Sequence, residues 1–234
     1  SPLGALTPQL LRESAWAPRL LLPIASWPFA ELGILRHDLL GENRCLSITL
    51  STMSAILALV PIRAGVLPSG GAEVVAEAQG RALLVGEGAT EAAEALAGIA
   101  THLRAWETPG FAPGEWANRL APILRDEAVV LLPASPDGRD LAPRIAAVLD
   151  RPLLAGAMEI RPGSVSTIRY GGRVLSEHPV NGSVVVTLQP GVRGVEHAHG
   201  SAAALEFITP PLAEASVGDA TLEELLPPDV STMD

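Results

Sequence analysis

From Ala55 onward the chain spells an alternation that few folds can absorb. "AILALV", "RALLVG" and "AVVLLPA" are short apolar runs and "THLRAWE" reads as a strand, and between them stand "AEVVAEAQ", "TEAAEALAGIA" and "GEWANRLAPILRDE", with "GRDLAPRIAAVLD" after the last. The runs are strand-sized and close on turn residues, whereas the intervening segments carry helical spacing. A run that is apolar at successive positions must be covered on both faces, and strands joined by helices of about 10–14 residues lie parallel. The pattern predicts βαβ units around a largely parallel sheet with helices on both faces, an α/β fold.

Two flanking zones differ in texture. Residues 1–52, including "ESAWAPRLLLPIASWPFAELGILRHDLLGENRCLSITL", show no strand and helix alternation but hold Trp16, Trp27 and Phe29. Such side chains need a surface to cover, so this zone is expected to be an extension packed on the main domain or on a partner, with the three aromatics as candidate interface residues. Burial of the same aromatics in a core is the competing reading. The main domain is expected to span 53–209. Its last part, "GSVSTIRYGGRVLSEHPVNGSVVVTLQPG", contains Val-, Ile- and Thr-rich extended runs separated by Gly-Gly and Asn-Gly, which are hairpin signals and predict an antiparallel extension. Residues 210–234 are acidic and Pro-rich, and are expected to form an exposed linker or tail.

Charge narrows the partners. The formal net charge is -10, and all 16 basic residues are arginine, so a nucleic-acid surface is not expected. The Arg-only usage with abundant Ala, Gly and Pro fits a GC-rich bacterial coding sequence better than a physical adaptation. Cys45 is the one cysteine, which excludes an intramolecular disulfide and a cysteine metal cluster. With neither a signal-peptide pattern nor about 18 consecutive apolar residues, the expectation is a cytoplasmic chain with no membrane partner.

Three motifs carry candidate chemistry. In "VLLPASPDGRDLAP" a strand runs into a helix start, placing Ser135, Asp137 and the backbone amides of Gly138 and Arg139 where unpaired N–H groups and the helix dipole attract anions. Ser135 or Asp137 as a plain N-cap is the alternative. "VGEGAT" offers Gly86 and Gly88 after a strand, but position 91 is Glu where a dinucleotide loop needs its third glycine, so an ordinary turn is expected. His197 and His199 alternate along an extended stretch, as two metal ligands would, yet in a Gly-flanked segment they are expected to face solvent. No residues suggest a hydrolase triad.

The order of "LLPASPDGRDLAPRIAAVLDRPLLAGAMEI" followed by "VSTIRYGGRVLSEHPVNGSVVVTLQPG" resembles the N-terminal domain of electron transfer flavoprotein alpha subunits. The resemblance rests on Gly138, Arg139 and Asp140 at a helix start, Pro143 and Arg144 on that helix, a "PL-x-x-x-x-x-I" strand, the "RYGG" turn at Arg169–Gly172 and "VVVTLQPG". It covers roughly Ser54 to Asp234. It implies a nucleotide-binding-type sheet of the adenine nucleotide alpha hydrolase-like kind with an antiparallel extension, and pairing with a similarly folded beta subunit. It also implies an FAD that is held mainly by a second alpha-subunit domain. That domain's Gly-Gly-Arg-Gly-type opening has no counterpart here, and the chain stops at "PPDVSTMD", about where the domain would begin. No FAD ligand can therefore be assigned, and the family's AMP site, which lies in the beta subunit, is not carried over. Some flavoproteins of this kind in GC-rich bacteria accompany peptide-derived redox cofactors such as mycofactocin, but no residue here establishes that pathway.

Three functions remain in play at this stage. The first is an alpha-like subunit that docks on a beta-like subunit and frames a flavin relaying electrons from dehydrogenases to an acceptor, with no catalytic acid or base of its own. The second is a scaffold that keeps only the dimerisation domain. The third is a small-nucleotide binder with Gly138 and Arg139 on a phosphate.

Overall fold

The computed structural model describes residues 56–195, 203–212, 219–220 and 224. The chain divides into Ser1–Ile48 and Thr49–Asp234, and all described residues belong to the second unit. Trp16, Trp27, Phe29, Cys45, His197 and His199 lie outside them.

Along the chain the elements are β1 (Ile56–Ile62), α1 (Gly71–Glu77), β2 (Arg81–Gly86), α2 (Ala89–Glu94), β3 (His102–Glu107), α3 (Pro113–Leu124), β4 (Val129–Pro133), α4 (Pro136–Leu149), β5 (Leu153–Arg161), β6 (Ser164–Arg169), β7 (Val174–Pro179), β8 (Val184–Leu188) and β9 (Leu205–Phe207). The strands form one sheet in the order β7-β6-β5-β8-β4-β1-β2-β3-β9. Every pairing from β5 to β9 across that order is parallel, and only β5 with β6 and β6 with β7 are antiparallel. The expected α/β class with a largely parallel sheet and an antiparallel extension is what the chain forms.

Strand periodicity sorts the core into two layers, because successive side chains point to opposite faces. Ala58, Val60 and Ile62 of β1 and Ala82 and Leu84 of β2 pack on one face with Val74 and Val75 of α1 and Ala89 and Ala92 of α2. Leu57 and Leu59, with Leu83 and Val85, pack on the other with Trp116 and Leu120 of α3 and Leu141 and Ile145 of α4. This double burial explains why "AILALV", "RALLVG" and "AVVLLPA" show no polar alternation. Trp116 anchors the second layer, with its ring 6.1 Å from Trp106 and 5.1 Å, edge-on, from Phe111.

The glycine signals divide. Gly171 and Gly172, with φ of 63° and 89°, turn β6 back into β7 as a hairpin. Asn181-Gly182 makes no hairpin: β7 stays at the sheet's edge, and β8 crosses back to lie parallel between β5 and β4. The run "VVVTL" is buried at all five positions, so it belongs inside the sheet rather than on a half-exposed ribbon. No helix among the described residues is long and apolar enough to cross a membrane.

Candidate functional site at the carboxyl edge of the sheet

In an open α/β sheet, ligands sit beyond the carboxyl ends of the strands, where neighbouring strands send their helices to opposite faces. Here that point lies between β1 and β4, adjacent and parallel, since α1 packs in one core layer and α4 in the other. Arg63 directly follows β1, and Asp137 lies in the first turn of α4. The two close the crevice: Arg63 Nε donates to Asp137 Oδ2 at 2.5 Å, and its Nη2 donates to Oδ1 at 2.8 Å. The Arg63 guanidinium also lies 4.9 Å from the centre of the Phe111 ring. Hydrogen bonding to Asp137 raises the Arg63 pKa above its ordinary value, against an opposing effect of burial. Asp137 gains further from the positive end of α4.

The turn that drew notice in the sequence is occupied by its own side chains. α4 begins at Pro136, two residues ahead of the expected start, because Pro suits the first helical position and Ser135 caps it. Ser135 is buried, and its Oγ accepts from Gly138 N–H at 3.1 Å. Arg139 N–H bonds to the Ser135 carbonyl at 2.9 Å, so neither amide is free, and the Arg139 side chain is exposed. Gly138 is glycine for steric reasons: a Cβ there would stand 2.0 Å from the Pro133 carbonyl oxygen.

The Gly86–Gly88 turn tells the same story. A Cβ on Gly86 would meet the Ile62 carbonyl oxygen at 2.0 Å, and one on Gly88 would meet Gly65 N at 2.3 Å, so these glycines admit the loop after β1. The amides of Gly88 and Ala89 donate to Glu107 Oε1 and Oε2 at 2.7 and 2.9 Å, and Gly110 N–H donates to Glu87 Oε1 at 3.1 Å. At α3, Gly114 and Glu115 N–H donate to Asp219 Oδ1 and Oδ2 at 2.7 and 2.8 Å. Three helix starts at this edge are thus satisfied by oxygens of the chain itself.

Sequence reading brought Ser135, Asp137, Gly138 and Arg139 to the carboxyl edge of the sheet but did not point to Arg63, Phe111, Glu107 and Asp219 beside them. Arg63 had a local signal, the first charge after a buried run. Asp219 had none, being separated by 105 residues from the amide it caps.

Geometry and volume point to different places. A hollow of about 510 Å³ lies at the opposite, amino edge, lined by Arg81, His102, Arg104, Glu127 and Glu206, with Arg81 paired to Glu127 at 2.9 Å. The fold rule favours the carboxyl edge, and Arg81 in the hollow is already paired with Glu127. No cluster of potential metal ligands occurs among the described residues.

Fold and site together define a doubly wound α/β domain of the nucleotide-binding type whose carboxyl edge is closed by internal ion pairs and caps. The family model for the electron transfer flavoprotein domain matches residues 70–215, more than half of the chain, and the chain belongs to that family. No curated protein matches it. The family is flavin-associated, yet the residues of the candidate turn do not fit a flavin diphosphate. The Gly138 amide is bonded to Ser135, Asp137 is bonded to Arg63, and Asp137 presents negative charge where the phosphates would lie.

Proposed function

We propose that the chain is the electron transfer flavoprotein alpha-like subunit, or its N-terminal domain, and that it pairs in the cytoplasm with a beta-like subunit to frame a flavin relaying electrons from dehydrogenases to an acceptor. The family match carries this reading, and the closed carboxyl edge supports it. A domain whose helix starts are taken by Ser135, Glu107 and Asp219 suits docking and orientation, with the flavin held mainly by groups elsewhere in the complex. Its own residues then supply a rigid surface rather than a proton or a nucleophile. We extend the proposal to Trp16, Trp27 and Phe29 as partner-facing residues, on the sequence alone. Trp27→Ala is expected to lose partner binding at an unchanged melting temperature, whereas a large fall in stability would place the ring in a core.

The same closed edge favours a second reading, a scaffold subunit that keeps the docking surface without a flavin. An absorption spectrum between about 350 and 500 nm, taken on the chain with its co-encoded second subunit, separates the two. A stoichiometric flavin spectrum in the complex is expected; a stable, colourless complex favours the scaffold, and no complex at all refutes both. Isothermal titration of the chain alone with AMP and ATP is expected to give no heat, and binding there would revive the small-nucleotide reading.

A further inference from the structure

We propose that a hollow between α1 and the β5–β6–β7 ribbon binds a small aliphatic ammonium ion, received by Ser166 and Glu177 with Glu159 beside them. The site shares no residue with the turn at Ser135–Arg139, and it stands independently of the flavin reading. β6 is the middle strand of the ribbon, and its Ser166 lies directly opposite Glu159 on β5 and Glu177 on β7. Residues opposite one another in an antiparallel pair project to the same face with Cβ atoms about 4.5–5.5 Å apart. One hydroxyl therefore stands between two carboxylate-bearing side chains. Glu77 of α1 also lines the hollow, close enough to Glu159 for that charge to raise its pKa. Arg161 pairs with Glu159 at 2.8 Å and Arg193 with Glu77 at 3.1 Å, whereas Glu177 has no ion-pair partner among the described residues.

Carboxylates alone would make only a solvated acidic patch, and Ser166 turns the patch into a site. It is 8% exposed, yet its hydroxyl bonds to no described residue. No fully buried side-chain polar atom among the described residues lacks a partner, so the Ser166 oxygen opens into the hollow that it lines. A hydroxyl held this deep without a protein partner is left for a guest that can bond to it. An ammonium has three N–H donors, which match the hydroxyl and the two flanking carboxylates. Met158, Leu175, Leu188 and Val192 offer an apolar stem a wall to lie against, and the volume of about 460 Å³ suits a small organic ligand rather than a bare ion. No cluster of potential metal ligands occurs among the described residues, and an anion would face the carboxylates.

Titration of the full, isotopically labelled chain with hexylamine at neutral pH, followed through backbone amide shifts, tests this. Saturable shifts centred on Ser166 and Glu177 are expected. Hexanol, which keeps the stem without the charge, is expected to bind at least about tenfold more weakly, and hexanoate to give no shifts there. Glu177→Gln is expected to weaken hexylamine binding about tenfold or more, and Ser166→Ala about 2- to 10-fold. Melting temperatures close to that of the parent confirm that neither loss is unfolding. Glu177 is only partly buried, so its variant decides the matter even where Ser166→Ala unsettles the ribbon. No saturable shift with hexylamine, shifts centred elsewhere, equal binding of hexanol, or full affinity in either variant would overturn the proposal.

Discussion

Gly138 and Ser135 show how one residue type can carry two different meanings in a sequence. Small and polar residues after a strand suggest a phosphate turn, but here the glycine makes room for the Pro133 carbonyl and the serine caps the helix. Ser135→Ala is expected to cost about 0.5–2 kcal/mol, visible in urea unfolding as a lower midpoint with an unchanged slope. Gly138→Ala is expected to cost more, roughly 1–3 kcal/mol, because its methyl group meets backbone that cannot move aside cheaply. The Arg63–Asp137 pair should behave differently. Arg63 is 62% exposed, so a double-mutant cycle with Arg63→Ala and Asp137→Ala is expected to give a coupling of only about 0.2–1 kcal/mol. The pair's effect is to fill the crevice rather than to hold the fold together. The type and place of Ser135, Asp137 and Gly138 were legible because strand, turn and helix start are local; their hydrogen-bond partners were not.

At the scale of elements, the first four strands and the helices between them follow directly from periodicity, whereas the crossing of β8 does not. "PVNGSVVV" reads as a hairpin because Asn-Gly favours one, and burial of β8 on both faces overrides that preference. α3 illustrates a long-range cap. Its first turn depends on Asp219, and Arg119 on the same helix donates to the Pro210 and Pro211 carbonyls at 3.0 and 3.2 Å. Asp219→Ala is therefore expected to raise amide hydrogen exchange at Gly114 and Glu115, with a loss of about 0.5–2 kcal/mol. Trp116→Ala, which removes the ring packed against Trp106 and Phe111, is expected to cost about 3–5 kcal/mol by thermal or urea unfolding.

Across the described domain, α1 is joined to the segment that leaves β8. Glu73 accepts from Gly191 N–H at 2.9 Å, and Arg193 reaches Glu77 at 3.1 Å. Burial raises the Glu77 pKa above its ordinary value of 4.5; Arg193 opposes the rise and Glu159 on β5 adds to it. A carboxyl group whose pKa is raised on folding binds its proton more tightly in the folded chain. Its contribution to stability is complete below the unfolded value and is lost as pH rises through the higher folded one. Glu77→Gln removes that dependence, so its stability relative to the parent is expected to improve as pH rises above about 4.5, as measured by urea unfolding at a series of pH values. A constant difference across that series would contradict the assignment.

The amino-acid sequence by itself determined the class of fold, because burial on both faces imposes continuous apolar runs and helices impose their own period, and both are written locally. It also placed the candidate turn at the carboxyl edge of a strand. Only the tertiary structure decided that β8 returns to the middle of the sheet and that Arg63 closes on Asp137. It alone decided that Glu107 and Asp219 occupy the amides at the starts of α2 and α3. Those outcomes depend on which distant groups meet, across 74 residues for Arg63 and Asp137 and 105 for Asp219 and Gly114, and no local pattern encodes such a meeting.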